Sequence, residues 1–187
     1  MRNNFSELKS IVRKAIECFN QKDKYLLQNN VNERSWYSQM GIYLIENLAG
    51  TGYNNYTFDC EYNRGCNLHD DAIKQLDDKN ISIELVIHKR GHDEIVGCDN
   101  LMCVEFKKST NLGDLRNDID RLEKLTSMDY KFNYKLCVMI IANMEKCRLE
   151  VNKFFYASLV FTMCCCSILL YSKRTLRFFK ISEVNNA

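Results

Sequence analysis

A chain of 187 residues and 22.0 kDa is long enough to form one domain with its own hydrophobic core. Hydrophobic residues make up 46% of the chain and charged residues 27%, a balance that argues against extended disorder. The formal net charge of +2 excludes a strong overall field that would attract nucleic acid or an anionic membrane. Binding of either kind would therefore depend on local patches of charge.

Ten cysteines are scattered along the chain, and three of them form the run Cys164 to Cys166. A chain of this size does not need disulfides to stabilise its fold, so we expect reduced thiols and a cytoplasmic protein. The amino terminus is amphipathic and charged, and it lacks the apolar centre of a secretory signal peptide.

Two amphipathic helices are predicted in the first part of the chain. Apolar residues recur at helical spacing over residues 5–27, with lysine and arginine on the opposite side. A second helix is predicted from Asn32, a favourable N-cap residue, to Gly50 and Gly52, which end it. Glu33 therefore falls in the first turn of the second helix.

Four strands and a third helix are predicted in the region that follows. The β-favouring and apolar patterns predict strands at 56–62, 81–88, 100–108 and 134–142, and a helix at 114–128. Residues 66–80 are polar and predict a loop or a short helix. This order of elements predicts an α/β sandwich around a mixed sheet.

Residues 154–172 carry no charge and are long enough to span a membrane. We favour a core helix that continues into a core strand, with a turn at residues 173–174 and a returning strand at 175–181. The cysteines, serines and threonine of the segment weaken the alternative of a membrane anchor, because these residues insert poorly into lipid.

The stretch LMCVEFKKS at 101–109 places Glu105 and Lys107 two residues apart, on the same side of a strand. Glu84 lies near the start of the preceding strand, and Glu33 begins the second helix. Three converging carboxylates repel one another unless a divalent cation lies among them, and carboxylates suit Mg²⁺ or Mn²⁺. A nearby lysine could orient water and offset negative charge during phosphodiester hydrolysis. Taken alone, the glutamate and lysine pair is more typical of a salt bridge.

Five segments, in order, resemble the restriction-endonuclease-like, or PD-(D/E)XK, nuclease superfamily, and in particular its small bacterial and phage-associated members. They are NERSWYSQMGIYL at 32–44, FDCEYNR at 58–64, IELVIHKRG at 83–91, LMCVEFKKS at 101–109 and DLRNDIDRLEKLT at 114–126. The resemblance implies an α/β sandwich with a central mixed sheet of four to five strands flanked by helices.

The resemblance also implies how one domain is organised over residues 1–187. An N-terminal helix at 1–30 would precede a nuclease core at 31–142, and a C-terminal helix and strand extension would follow at 143–187.

The activity implied by the resemblance is that of an endonuclease dependent on Mg²⁺ or Mn²⁺, with DNA as the expected substrate. Glu33, Glu84 and Glu105 would bind the metal, and Lys107 would be the catalytic lysine. Glu84 departs from the pattern, because aspartate is usual at this position, and the change puts activity in doubt. The alternative is an inactive nuclease fold that binds nucleic acid or a protein partner. A homodimer would allow each subunit to cut one strand.

Basic side chains near the expected site could contact phosphate groups. They are Arg34, Arg64, Lys89, Arg90 and Lys108. Each of these residues could equally be a solvated surface residue with no ligand.

Overall fold

The computed structural model describes residues 2–23, 25–26, 29, 31–64, 73–90, 100–107, 112–127, 132–141, 166–172 and 175–180. Within these residues the helices are α1 (Arg2–Lys22), α2 (Glu33–Leu48) and α3 (Leu112–Thr126). The strands are β1 (Thr57–Tyr62), β2 (Gln75–Leu76), β3 (Lys79–Asn80), β4 (Ile83–His88), β5 (Asn100–Lys107), β6 (Leu136–Ile141), β7 (Cys166–Ser172) and β8 (Thr175–Lys180).

The predicted ends of α2 are confirmed. The side chain of Asn32 accepts a hydrogen bond of 3.0 Å from the backbone N–H of Arg34, as an N-cap residue does. Glu33 is the first residue of the helix, and its negative charge lies where the helix dipole favours it. Beyond the last turn, Gly50 has a φ of +80°, a conformation that glycine adopts without strain.

Helix α2 packs closely against the first strand of the main sheet. A Cβ atom at Gly41 would lie 2.5 Å from the ring of Phe58, so only glycine allows the ring to reach the helix backbone. Helix α2 also contacts β5, because the ring centroid of Tyr37 lies 6.2 Å from that of Phe106. Helix α2 therefore fixes the position of the end of β5 from one side.

The main sheet contains six strands in the order β1-β4-β5-β6-β7-β8. Strands β5, β6 and β7 are parallel to one another, whereas the other neighbouring strands are antiparallel. The predicted mixed sheet in an α/β protein is therefore confirmed. The described strands exceed the expected four to five because β7 and β8 extend the sheet beyond β6.

Residues 75–80 form a small hairpin of β2 and β3, so the prediction of a loop or short helix for this part of 66–80 is wrong. The turn consists of Asp77 and Asp78, which both have positive φ, as in a type I′ turn. Aspartate tolerates this conformation, but two strands of two residues are too short to produce an alternating sequence pattern. Residues 65–72 lie outside the described residues.

The two faces of the sheet differ in what covers them. Leu85, Val104 and Val138 face α1 and α2 in one continuous apolar core. The intervening residues of the same strands point to the opposite face because side chains alternate along a strand. Helix α3 connects β5 to the parallel strand β6 and covers that opposite face, where Arg121 contacts Glu105.

Part of the predicted C-terminal arrangement can be compared with the structure. Strands β7 and β8 are paired antiparallel, with Ser172 opposite Thr175, as expected for a strand and its return. The helix predicted before β7 falls in 142–165, outside the described residues. Among the residues that the structure describes, no helix combines the length and apolar character of a membrane span.

Cys103 and Cys137 form a disulfide, so the expectation of reduced thiols is wrong for this pair. The two residues are partners in the parallel register of β5 and β6, with Cα atoms 4.7 Å apart. They are 34 residues apart in the sequence, and the strand pairing that brings them together cannot be read from the cysteine spacing. Cys18 and Cys60 are free cysteines in the described part of the chain.

Candidate active site

The candidate site lies at one end of the main sheet. Strand β4 runs antiparallel to both β1 and β5, so the start of β4 lies beside the ends of its two neighbours. This arrangement places Glu84 near the end of β5, which carries Glu105 and Lys107. The predicted common face of Glu105 and Lys107 is confirmed, since both contact α3.

Strands β4 and β5 separate at this end of the sheet, and Glu84 fills part of the gap. The register of the two strands ends at Leu85 and Val104. Beyond that point the backbone N–H of Phe106 donates a 2.6 Å hydrogen bond to Oε2 of Glu84 rather than to a strand carbonyl. Burial raises the pKa of Glu84, the charge of Glu33 adds to the rise, and the Phe106 N–H opposes it.

Glu105 is the most deeply buried acid of the site, with 1% of its surface exposed. Nη2 of Arg121 lies 2.9 Å from Oε1 of Glu105. Burial raises the pKa of Glu105 to about 8, and the charge of Glu84 contributes to the rise, whereas Arg121 opposes it. Burial therefore outweighs the opposing charge of Arg121 in setting the pKa of Glu105.

Lys107 lies at the edge of the same cluster and is partly accessible to solvent. Its Nζ is 3.0 Å from Oδ2 of Asp118 on α3. Burial alone would lower the pKa of Lys107, but Asp118, with help from Glu84 and Glu105, raises it above the usual value. Lys107 is therefore an ammonium group at neutral pH and can donate hydrogen bonds or offset negative charge.

Three buried side-chain atoms in the described part of the chain have no hydrogen-bond partner, and all three belong to this cluster. They are Oε1 of Glu105, Oδ2 of Asp118 and Nε of Arg121. Buried polar atoms in native proteins are nearly always hydrogen-bonded, because an unsatisfied group costs about 1–3 kcal/mol. Two of the three atoms nevertheless lie close to an opposite charge: Oε1 of Glu105 is 2.9 Å from Nη2 of Arg121, and Oδ2 of Asp118 is 3.0 Å from Nζ of Lys107.

The donor chemistry of the cluster fits Mg²⁺. This ion is commonly bound by one or two carboxylates, with water and substrate phosphate completing its coordination. Glu84 and Glu105 supply such a pair of acids, and Oε1 of Glu105 is already paired with Nη2 of Arg121 at 2.9 Å. Among the described residues, no three acidic, histidine or cysteine side chains are grouped closely enough to hold a metal. Metal binding by Glu33 as a third ligand stays a prediction.

Glu33 and Arg34 begin α2 beside this end of the sheet. Arg34 forms a fork with Glu61 of β1, in which Nε and Nη2 both donate hydrogen bonds to the carboxylate. The hydroxyl of Tyr37 donates a further bond of 2.6 Å to Oε1 of Glu61. Glu61 has a φ of +51°, which turns its side chain away from the alternation of the strand and toward α2. Arg34 is thus engaged with a carboxylate of its own chain.

The other predicted nucleic-acid contacts lie in different settings. Arg90 forms a salt bridge with Asp59, and Lys89 lies over the ring of Tyr56 at 5.0 Å from its centroid. Arg64 is exposed at an isolated bridge with Ile73. Lys108 lies outside the described residues. Contact of these five residues with nucleic acid stays a prediction.

Asp118 and Arg121 are the site residues that the sequence interpretation missed. Both lie in the segment DLRNDIDRLEKLT, for which the sequence predicts a helix without a role for either side chain. Their signal was their spacing of three residues, which places them on one side of a helix, next to the apolar Leu122 and Leu125. The crossover connection from β5 to β6, which contains α3, turns that side of the helix toward Glu105 and Lys107.

Comparisons with protein-family models, curated proteins and solved structures find no match to this chain. The resemblance to the nuclease superfamily therefore depends on the sequence motifs alone.

Proposed function

We propose that this chain is a metal-dependent nuclease that hydrolyses phosphodiester bonds, with DNA as its substrate. The observation that carries the proposal is the meeting of Glu84, Glu105 and Lys107 at the separated ends of β4 and β5. The state of Glu105 supports it, because its buried Oε1 has an ion pair with Arg121 but no hydrogen bond among the described residues, and a divalent cation would bring more positive charge to that oxygen. These positions are also the ones that the superfamily resemblance selects.

Each residue would have a separate task. Glu84 and Glu105 would hold Mg²⁺ or Mn²⁺, with Glu33 as the predicted third ligand. The bound ion would supply Lewis acidity toward the phosphate group and the attacking water. Lys107 would hold its proton, orient the water through a hydrogen bond, and offset the negative charge that develops on the phosphate oxygens.

The direct test is cleavage of DNA by the purified chain. Supercoiled plasmid, linear duplex, single-stranded and branched DNA would each be incubated with Mg²⁺ or Mn²⁺. We expect cleavage of at least one substrate and a loss of roughly 10²–10³-fold in the Lys107→Ala variant, the range typical for a residue that stabilises transition-state charge. Lys79→Ala, an exposed change in β3, is the matched control and should retain activity.

Equal cleavage by Lys107→Ala and the unchanged chain would contradict the assignment of the catalytic lysine. Absence of cleavage with every substrate and both metals would contradict the proposed activity.

A second candidate function is a nuclease fold that binds nucleic acid without cutting it. Two contacts favour it: the Phe106 N–H occupies Oε2 of Glu84, and Arg121 lies against Glu105. Intact DNA binding together with a melting temperature that Mn²⁺ does not change would support this function, since a ligand of the folded state must stabilise it.

A further inference from the structure

Arg121 lies between two acids that belong to different elements. Its Nη2 is 2.9 Å from Oε1 of Glu105 on β5 and 3.0 Å from Oδ1 of Asp118 on α3. The side chain of Arg121 is 25% exposed, whereas that of Glu105 is 1% exposed, so the arginine closes the site between Glu105 and solvent.

We propose that Arg121 is a built-in counterion of Glu105 that a divalent cation replaces, so that Arg121 lowers the affinity of the site for metal. The inference rests on the proposed function, because it assumes that Glu105 is a metal ligand. It adds a positioning residue that the superfamily resemblance did not select.

The contact between Arg121 and Glu105 lacks the forked geometry of the Arg34–Glu61 pair. Arg34 binds Glu61 through a fork of hydrogen bonds, in which both Nε and Nη2 take part. In contrast, Oε1 of Glu105 and Nε of Arg121 lack hydrogen-bond partners among the described residues. A forked pair is the strongest arrangement of these groups, so the geometry at Glu105 is one that a better ligand can displace.

Displacement does not leave Arg121 as an isolated charge. Nη2 of Arg121 donates a hydrogen bond to Oδ1 of Asp118, and this bond does not involve Glu105. Asp118 also pairs with Lys107, which fixes the acid from a second side. Arg121 can therefore release Glu105 while keeping a carboxylate partner, which avoids the high cost of an unpaired buried charge.

The position of Arg121 also predicts the sign of its effect on metal binding. A guanidinium group at 2.9 Å from a carboxylate oxygen repels a second cation that approaches the same oxygen. Removing Arg121 removes this repulsion, so the affinity of the site for a divalent cation should rise.

The test is a titration of the full chain with Mn²⁺, followed by the loss of the electron paramagnetic resonance signal of free Mn²⁺. We expect the midpoint of Arg121→Gln to be roughly tenfold lower than that of the unchanged chain. Lys124→Gln is the matched control, because Lys124 lies one turn further along α3 and pairs with Asp77 and Asp120 outside the cluster. Its midpoint should stay within about twofold, since exposed charges are screened.

Three outcomes separate the inference from the proposed function. A lower midpoint in Arg121→Gln alone supports both. An unchanged or higher midpoint in Arg121→Gln, with Mn²⁺ binding by the unchanged chain, overturns the counterion inference but still supports the proposed metal site. Absence of Mn²⁺ binding by the unchanged chain overturns both.

A second measurement needs no folded Arg121→Gln variant. Nitrogen-15 resonances of the arginine Nε–H groups can be followed in the unchanged chain as Mg²⁺ is added, with Arg121 assigned through Arg121→Lys. We expect the Arg121 resonance to shift and the resonance of Arg34, which keeps its fork with Glu61, to shift less. An Arg121 resonance that does not move while Mg²⁺ binds would contradict the replacement of one cation by the other.

Discussion

The two faces of the central sheet bury different kinds of side chain from the same strands. On the face toward α1 and α2, Leu85 and Val104 pair across β4 and β5 in a continuous apolar core. On the face toward α3, Glu84, one residue before Leu85, and Glu105, one residue after Val104, are buried beside Arg121. A side-chain period of two residues is sufficient to separate the apolar core from the buried charged groups within the eight residues of β5.

The charged side chains on the face toward α3 are buried rather than solvated. Glu105 is as inaccessible as the apolar residues on the other side of the sheet, yet it lacks a complete set of hydrogen bonds in the described structure. Burying such a group costs free energy, and the apolar face offsets that cost. Changes on the two faces should therefore act on the free energy of unfolding in different ways.

The largest expected effect on stability comes from the apolar face. Leu85→Ala removes a fully buried side chain between the sheet and α2, and it should lower the free energy of unfolding by about 2–5 kcal/mol through lost burial and a residual cavity. Urea denaturation measures the change. A loss below about 1 kcal/mol, the level of a surface substitution, would contradict the assignment of Leu85 to the core.

On the charged face, we expect a smaller change in the free energy of unfolding, and one that depends on pH. The folded state raises the pKa of Glu105 to about 8, so it binds a proton that the unfolded chain releases near pH 4.5. The unchanged chain should therefore lose stability as the pH rises from 4.5 to 8. Glu105→Gln lacks this titration, and its stability relative to the unchanged chain should improve over that range by about 1 kcal/mol or more.

Urea denaturation in a metal-free buffer at several pH values measures the difference between the two chains. Parallel dependence of stability on pH would show that the burial of Glu105 carries no such cost, and the contrast between the two faces would be lost.

Sequence patterns predicted most of the elements that the structure describes. Alternation placed Glu105 and Lys107 on one face of β5, and the Asn32 cap fixed the start of α2, because both features depend on neighbouring residues. The hairpin at 75–80 was missed, since its form depends on the two aspartates of its turn rather than on apolar alternation.

The parts of the site that could not be predicted depend on contacts between distant segments. A charged residue such as Arg121 looks the same in the sequence whether its helix faces water or a buried carboxylate. The crossover from β5 to β6 decides between these settings, and it brings Asp118 to within 3.0 Å of Lys107. The partnership of Cys103 with Cys137 depends on the same strand register and was missed for the same reason.

The most direct test of the account is the effect of Mg²⁺ on the melting temperature of the unchanged chain and of Glu105→Gln, measured at the same pH and ionic strength. We expect millimolar Mg²⁺ to raise the melting temperature of the unchanged chain and to leave that of Glu105→Gln the same, because Glu105 would bind the metal only in the folded state. An equal rise in both chains, or no rise in the unchanged chain, would contradict the claim that the charged face of the sheet is a metal site.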